Sequence, residues 1–287
     1  MSRIKVALVG AAGKMGTRTS RNLLKETEKF EVKCVESGDV GLKVLKERGL
    51  EPYTAEQAVP GADVVVLAVP DSLILKISES ITPLMSPGSG MVILDPAAAV
   101  AGELIMKDDC TYAVAHPCHP SYFKDQDTLE ARNDYFGGEG GKQDIVMAKV
   151  QGDDDVFELC REVSKHMYAP VENAFVLDSV QQIAFLEPTL VETLGATCLY
   201  AMAETVNEAV KRGIPREAAN SFLSGHIYNL SANFLGYMGN VPVSDACMVA
   251  MDIGRRLVLR DDWKKIWEDE NLKKVISTML HPENPQI

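Results

Sequence analysis

The sequence predicts an α/β protein in which a doubly wound parallel sheet over residues 1–176 is followed by an all-helical domain over residues 177–287. Three observations carry that prediction. Short, wholly apolar runs alternate with helical stretches through the first half, as strands buried on both faces do. The first of these runs opens into a glycine-rich turn, G-A-A-G-K-M-G from Gly10 to Gly16. Beyond Val176 the strand signal fades and helical periodicity takes over.

Taken in order, the strands are Ile4–Val9, Phe30–Val35, Val64–Val69, Met91–Leu94 and Tyr112–Ala115. Three of them end in polar or turn-forming residues, at Pro70-Asp71-Ser72, Asp95-Pro96-Ala97 and His116-Pro117. Those ends belong to the carboxyl edge of the sheet, where open α/β folds bind ligands. The polar stretch from Ser121 to Gln143, with G-G-E-G-G at Gly137 to Gly141, reads as a mobile loop beside the site. A further strand at Ile145–Val150 precedes a helix that Asp153 to Asp155 begin, since acids suit a helix N-terminus. Asp178–Lys211 then forms one long helix, kinked near Glu187 because Pro188 has no N–H and crowds the carbonyl of Ala184. Pro215–Met238, Ser244–Arg260 and Asp262–Met279 follow as helices. The small and apolar residues Leu194, Gly195, Ala196, Cys198, Leu199 and Ala201 suit packing in a homodimer or burial within the same chain.

Composition limits the partners. A formal charge of −12 with no basic stripe argues against nucleic acid. The first strand starts within three residues of the N-terminus, which leaves no room for a leader, and no apolar run is long enough to span a bilayer. A soluble, cytoplasmic protein without a membrane partner is expected. Six cysteines lie scattered without a C-x-x-C pair, so neither a zinc knuckle nor a disulfide framework is suggested, and most read as small core residues.

Strand, glycine turn, helix and a following acid predict a nicotinamide dinucleotide site. Gly10 and Gly13 let the backbone approach a diphosphate, Gly16 lets the helix pack close to the sheet, and the helix N-terminus favours the anion. Glu36 closes the second strand twenty positions after the last glycine, where its carboxylate suits the adenosine ribose hydroxyls and repels a 2'-phosphate, so NAD is expected over NADP. The candidate cofactor residues are Ala12, Gly13, Lys14, Met15, Gly16 and Glu36, with Val69 and Asp71 at the end of the third strand.

His116, fixed between strand and proline, is the candidate base or metal ligand. Glu187 lies in the apolar run I-A-F-L-E-P, where a buried carboxylate needs a partner. A divalent cation held by His116 and Glu187 would supply one. Magnesium is the expected ion, with manganese, calcium and zinc left open by the donor types. These two residues are the catalytic and metal candidates. His119 reads equally as a functional group or a loop anchor, and Glu192 as a solvent-facing acid. His226, Asn229 and Asn233 share one helix face that suits either a substrate, reached from a second subunit, or solvent. Lys142 is a weaker candidate for a substrate carboxylate.

With these residues in place, the chain resembles the superfamily of 6-phosphogluconate and 3-hydroxyacid dehydrogenases, an N-terminal Rossmann domain followed by a helical domain that opens on one long helix. Those hydroxyacid dehydrogenases carry a catalytic lysine near the start of that helix; Gln181 to Gly195 contains none and offers Glu187 there. The H-P element at His116 is also similar to that of prephenate dehydrogenases. G-A-A-G-K-M-G, Glu36, A-H-P-C-H-P and F-L-E-P together look most like the D-apionate oxidoisomerases. The resemblance implies NAD-dependent oxidation of a branched sugar acid, D-apionate, to 3-oxo-isoapionate, with a divalent metal on His116 and Glu187. The other functions compatible with these residues are a simple hydroxyacid or prephenate-like dehydrogenase using His116 as base, and a non-catalytic NAD-binding redox sensor.

Overall fold

The computed structural model describes residues 2–239 and 241–286. Residues through Leu186, rejoined by those from Lys273 onward, form one compact unit, and Glu187–Leu272 forms the other. The first unit is built on an eight-stranded sheet of order β3-β2-β1-β4-β5-β6-β7-β8. Its strands are β1 (Ile4–Val9), β2 (Phe30–Val35), β3 (Pro52–Tyr53), β4 (Val64–Leu67), β5 (Gly90–Ile93), β6 (Thr111–Pro117), β7 (Gln143–Gln151) and β8 (Val171–Leu177). The first six run parallel, β7 runs antiparallel to β6, and β8 is parallel to β7.

β1 and β2 occupy the residues expected from sequence. β3 and β8 were not expected. The first spans two residues, and the second has no buried position, so neither shows the continuous apolar run that marks the central strands. Val64 to Leu67 and Met91 to Ile93 are buried without exception, each large side chain contributing about 1.5–3 kcal/mol of burial.

The helices of this unit are α1 (Lys14–Leu23), α2 (Asp39–Glu47), α3 (Ala55–Ala58), α4 (Ile74–Ile81), α5 (Ala97–Ala101), α6 (Leu129–Arg132), α7 (Asp154–Met167) and α8 (Val180–Ala184). Asp153 caps α7 by accepting from the backbone of Asp155 and Val156. The cysteines divide evenly: Cys34, Cys110 and Cys160 are core residues, whereas Cys118, Cys198 and Cys247 are not buried.

The expected long helix is present but takes a different form at its proline. Phe185–Ala196 is a π-helix between α8 and α9 (Thr197–Lys211). Pro188 has no N–H to give Ala184, and its ring would crowd that carbonyl. Widening the helix relieves both conflicts over several residues instead of at one kink. In the second unit α10 (Arg216–Phe234) packs against α9, and α11 (Asp245–Val258) starts at Ser244, whose hydroxyl accepts from the backbone of Cys247. α12 (Asp269–Leu280) follows a short 3-10 turn at Trp263–Trp267.

Candidate active site

The carboxyl edge of the sheet gathers two groups of residues. The first surrounds the β1–α1 turn. Gly10 has φ +79°, and a Cβ there would lie 2.5 Å from the carbonyl oxygen of Ala68; a Cβ on Gly16 would lie 2.1 Å from the carbonyl oxygen of Gly10. No other side chain fits at either position, so the turn keeps its backbone open to a ligand. Arg48 braces it from behind, donating to the carbonyls of Ala11 and Thr17 and, at 2.8 Å, to the Ser20 hydroxyl. In front lies a cleft of about 380 Å³, lined by Gly10, Ala12, Gly13, Glu36, Val69 and Pro70 among others. Glu36 reaches across it, and its Oε1 accepts from the Ala12 backbone N–H at 2.7 Å.

Of the candidate cofactor residues, Ala12, Gly13, Glu36 and Val69 line this cleft. Gly16 is buried in the first turn of α1. Met15 packs against the hydrophobic core, and the Lys14 ammonium lies 3.9 Å above the Phe136 ring. Asp71 opens the 3-10 turn Asp71–Leu73 beside the cleft. Lys14 and Met15 open α1, so their backbone N–H groups stand at the helix N-terminus.

The second group lies at the ends of β5 and β6. Asp95, His116 and Glu187 each offer a ligand atom, and these atoms all lie within 4.8 Å of one another. Asp95 is buried, and its Oδ1 accepts from the Ala97 backbone at 2.7 Å, which fixes the carboxylate at the head of α5. α5 packs on α8, and Glu187 follows one turn after the fully buried Ile183 and Ala184 of α8. His116 Nδ1 lies 2.8 Å from the carbonyl oxygen of Leu94. A carbonyl can only accept, so Nδ1 carries the proton and Nε2 keeps its lone pair. Burial pushes the His116 pKa down, against the upward pull of that hydrogen bond and of Asp95, and favours the neutral imidazole that a metal ligand must be. Two carboxylates and a neutral imidazole at this spacing fit a divalent cation.

Asp95 is legible in the sequence as an acid at the sheet edge but not as a partner of His116 and Glu187. The available signal was a carboxylate before proline at a strand end, and nothing in the sequence ties positions 95, 116 and 187 together.

The remaining candidates lie elsewhere or are engaged. Lys142 Nζ pairs with Asp127 at 2.5 Å. The stretch read as a mobile loop is wrapped around Asp134, whose carboxylate accepts from the backbone of Gly137, Glu139, Gly140 and Gly141. Burial alone would raise the Asp134 pKa; these four N–H groups outweigh it and hold the carboxyl below its ordinary value. In the second unit His226 is exposed, stacks on Phe222 with ring centroids 4.1 Å apart, and donates from Nδ1 to the Phe222 carbonyl. Asn233 donates to the carbonyl of Val241, and Glu192 is exposed.

Two family models match the chain. Residues 1–117 match the acetohydroxy acid isomeroreductase NADPH-binding domain, and residues 124–280 match the phosphogluconate dehydrogenase (decarboxylating) C-terminal domain. A D-apionate oxidoisomerase from Blautia hydrogenotrophica is 67% identical over the full length of both chains. One from Cupriavidus necator is 46% identical over 95% of this chain and 98% of its own. A crystal structure from Cupriavidus necator, described as a semialdehyde dehydrogenase NAD-binding protein in complex with calcium and NAD, superimposes with a TM-score of 0.92 at 45% identity. It covers 97% of this chain and 100% of that one.

Proposed function

Because the chain belongs to the D-apionate oxidoisomerase family, we propose that it carries out the NAD-dependent oxidation and isomerisation of D-apionate with the help of a divalent cation. The observation that carries this reading is the convergence of Asp95, His116 and Glu187 at the sheet edge that also holds the dinucleotide cleft.

NAD, when bound, takes up hydride, and a divalent cation polarises neighbouring carbonyl and hydroxyl oxygens. The residues do the rest. Gly10 and Gly13 let the diphosphate approach the turn, while the open N–H groups of Lys14 and Met15 receive it. Glu36 gives one carboxylate oxygen to Ala12 and keeps the other for a ribose hydroxyl, which also sets it against a 2'-phosphate. This favours NAD even though the matching N-terminal family model is that of an NADPH-binding domain. Asp95, His116 and Glu187 would hold the cation, the Leu94 carbonyl keeping the imidazole in the ligating tautomer. Magnesium is the proposed ion, since two of the three donors are carboxylates. The relative that holds calcium is consistent with a hard cation.

Two further parts of the proposal concern the whole chain. We place it in the cytoplasm, a reading supported by its free thiols and by the absence, among the described residues, of any helix long and apolar enough to cross a membrane. We take it to be a homodimer, because the helices of the second unit leave large apolar side chains uncovered.

The test is NADH formation from D-apionate after chelation and after return of magnesium, calcium, manganese or zinc, with Glu187→Gln in parallel. Turnover that requires the cation and falls by about 100-fold or more in the variant is the expected result. Absence of turnover with every cation would overturn the assignment.

A further inference from the structure

His119 lies beside the metal-binding cluster and is held with unusual care. It has φ 60°, and among the described residues it is the one non-glycine with positive φ. Side chains tolerate that conformation poorly, and where it persists the surroundings must impose it. Here they do. The ring lies 4.8 Å from the Phe136 ring, and Nδ1 lies 2.8 Å from the Phe136 carbonyl oxygen. Phe136 is fixed in turn by two cations of α1, the Lys14 ammonium at 3.9 Å and the Arg18 guanidinium at 3.6 Å from its centroid. The loop that carries Phe136 is wound around Asp134 and tied to α1 by Arg21 and Glu139 at 2.6 Å.

The consequence is chemical. Since the Phe136 carbonyl can only accept, Nδ1 of His119 carries the proton and Nε2 is left as an acceptor. The only hydrogen bond His119 makes among the described residues is this one at Nδ1. Its ring stands edge-on to His116, with centroids 6.4 Å apart and planes at 89°. A loop, an aromatic ring and two cations therefore fix one imidazole acceptor within a small molecule's reach of the cluster.

We propose that His119 is a substrate-binding residue whose Nε2 accepts a hydrogen bond from a hydroxyl of the sugar acid bound beside His116. The assignment rests on the D-apionate reading for its ligand class, a polyhydroxylated acid. An acceptor of fixed orientation distinguishes a hydroxyl from a hydrogen or a methyl group at that carbon, so His119 is also a specificity determinant.

His119→Asn tests this directly. Asparagine accepts positive φ, its amide can still donate to the Phe136 carbonyl, and it places no atom where Nε2 stood. The readouts are calorimetric binding of D-apionate to the NADH-loaded protein and the steady-state constants. The expected result is about tenfold weaker D-apionate binding and a matching fall in kcat/KM, with NADH affinity and thermal midpoint unchanged. His119→Gly, which also suits the backbone, should lose binding similarly and regain turnover with added imidazole. Wild-type binding and kcat/KM in both variants would overturn the role of His119 alone. A wild-type protein that neither binds nor oxidises D-apionate would overturn the substrate reading and this proposal together.

Discussion

Glu36 carries two duties on one carboxylate. Oε1 accepts from the Ala12 N–H at 2.7 Å, holding the β1–α1 turn to the end of β2, and Oε2 lies against Gly41 of the cleft. Removing the charge therefore loosens the turn and removes the repulsion of a 2'-phosphate at once. Glu36→Ser is expected to raise KM for NAD by about tenfold and to admit NADP, lowering the preference between the two by about 100-fold. Kinetics with both cofactors check this, and unchanged discrimination would show that Glu36 does not set it. Glu36 could be found in the sequence because its signal is local: strand, turn, helix and acid follow one another within a single βαβ unit. Asp95 could not be assigned in the same way. Its partners come from β6 and the π segment, and only the folded sheet edge brings them within 4.8 Å.

At the scale of elements, the same contrast separates β1 and β2 from β8. Strands buried on two faces announce themselves as apolar runs, whereas β8 exposes Glu172, Asn173, Phe175 and Val176 and carries no clean alternation. The long helix lies between these cases. Its proline predicted a disturbance at Glu187, and the disturbance is a π-helix from Phe185 to Ala196. The difference bears on the candidate metal site, because Glu187 lies inside the π segment beside Pro188. Pro188→Ala restores an N–H that can reach the Ala184 carbonyl, and the segment should tighten toward α geometry. The expected outcome is an unchanged or raised thermal midpoint together with about tenfold weaker divalent-cation binding by calorimetry. Unaltered cation affinity would mean that the proline does not position Glu187.

For the whole molecule, the decisive fact is how little the second unit covers of itself. α9 buries only Val206, α10 only Ala232, and α11 buries no residue at all. Phe222 is 70% exposed, Tyr200 68%, Leu257 80% and Val258 76%. Leu235, Tyr237 and Val249 are exposed as well, and large apolar side chains left uncovered suit a surface of association. An acidic chain has no general need for such a surface, and a second copy supplies complementary apolar helices by symmetry. Leu257 provides the test, since its high exposure in the single chain means that a monomer should accept Leu257→Asp within about 0.5 kcal/mol. In a dimer that buries this face, the same change places a charge in an apolar contact and costs several kcal/mol. Sedimentation should therefore find the wild type dimeric at micromolar concentration and Leu257→Asp shifted to monomer, with a lower thermal midpoint. A monomeric wild type would overturn the dimer, and a dimeric, equally stable variant would show that the face carrying Leu257 lies outside the interface.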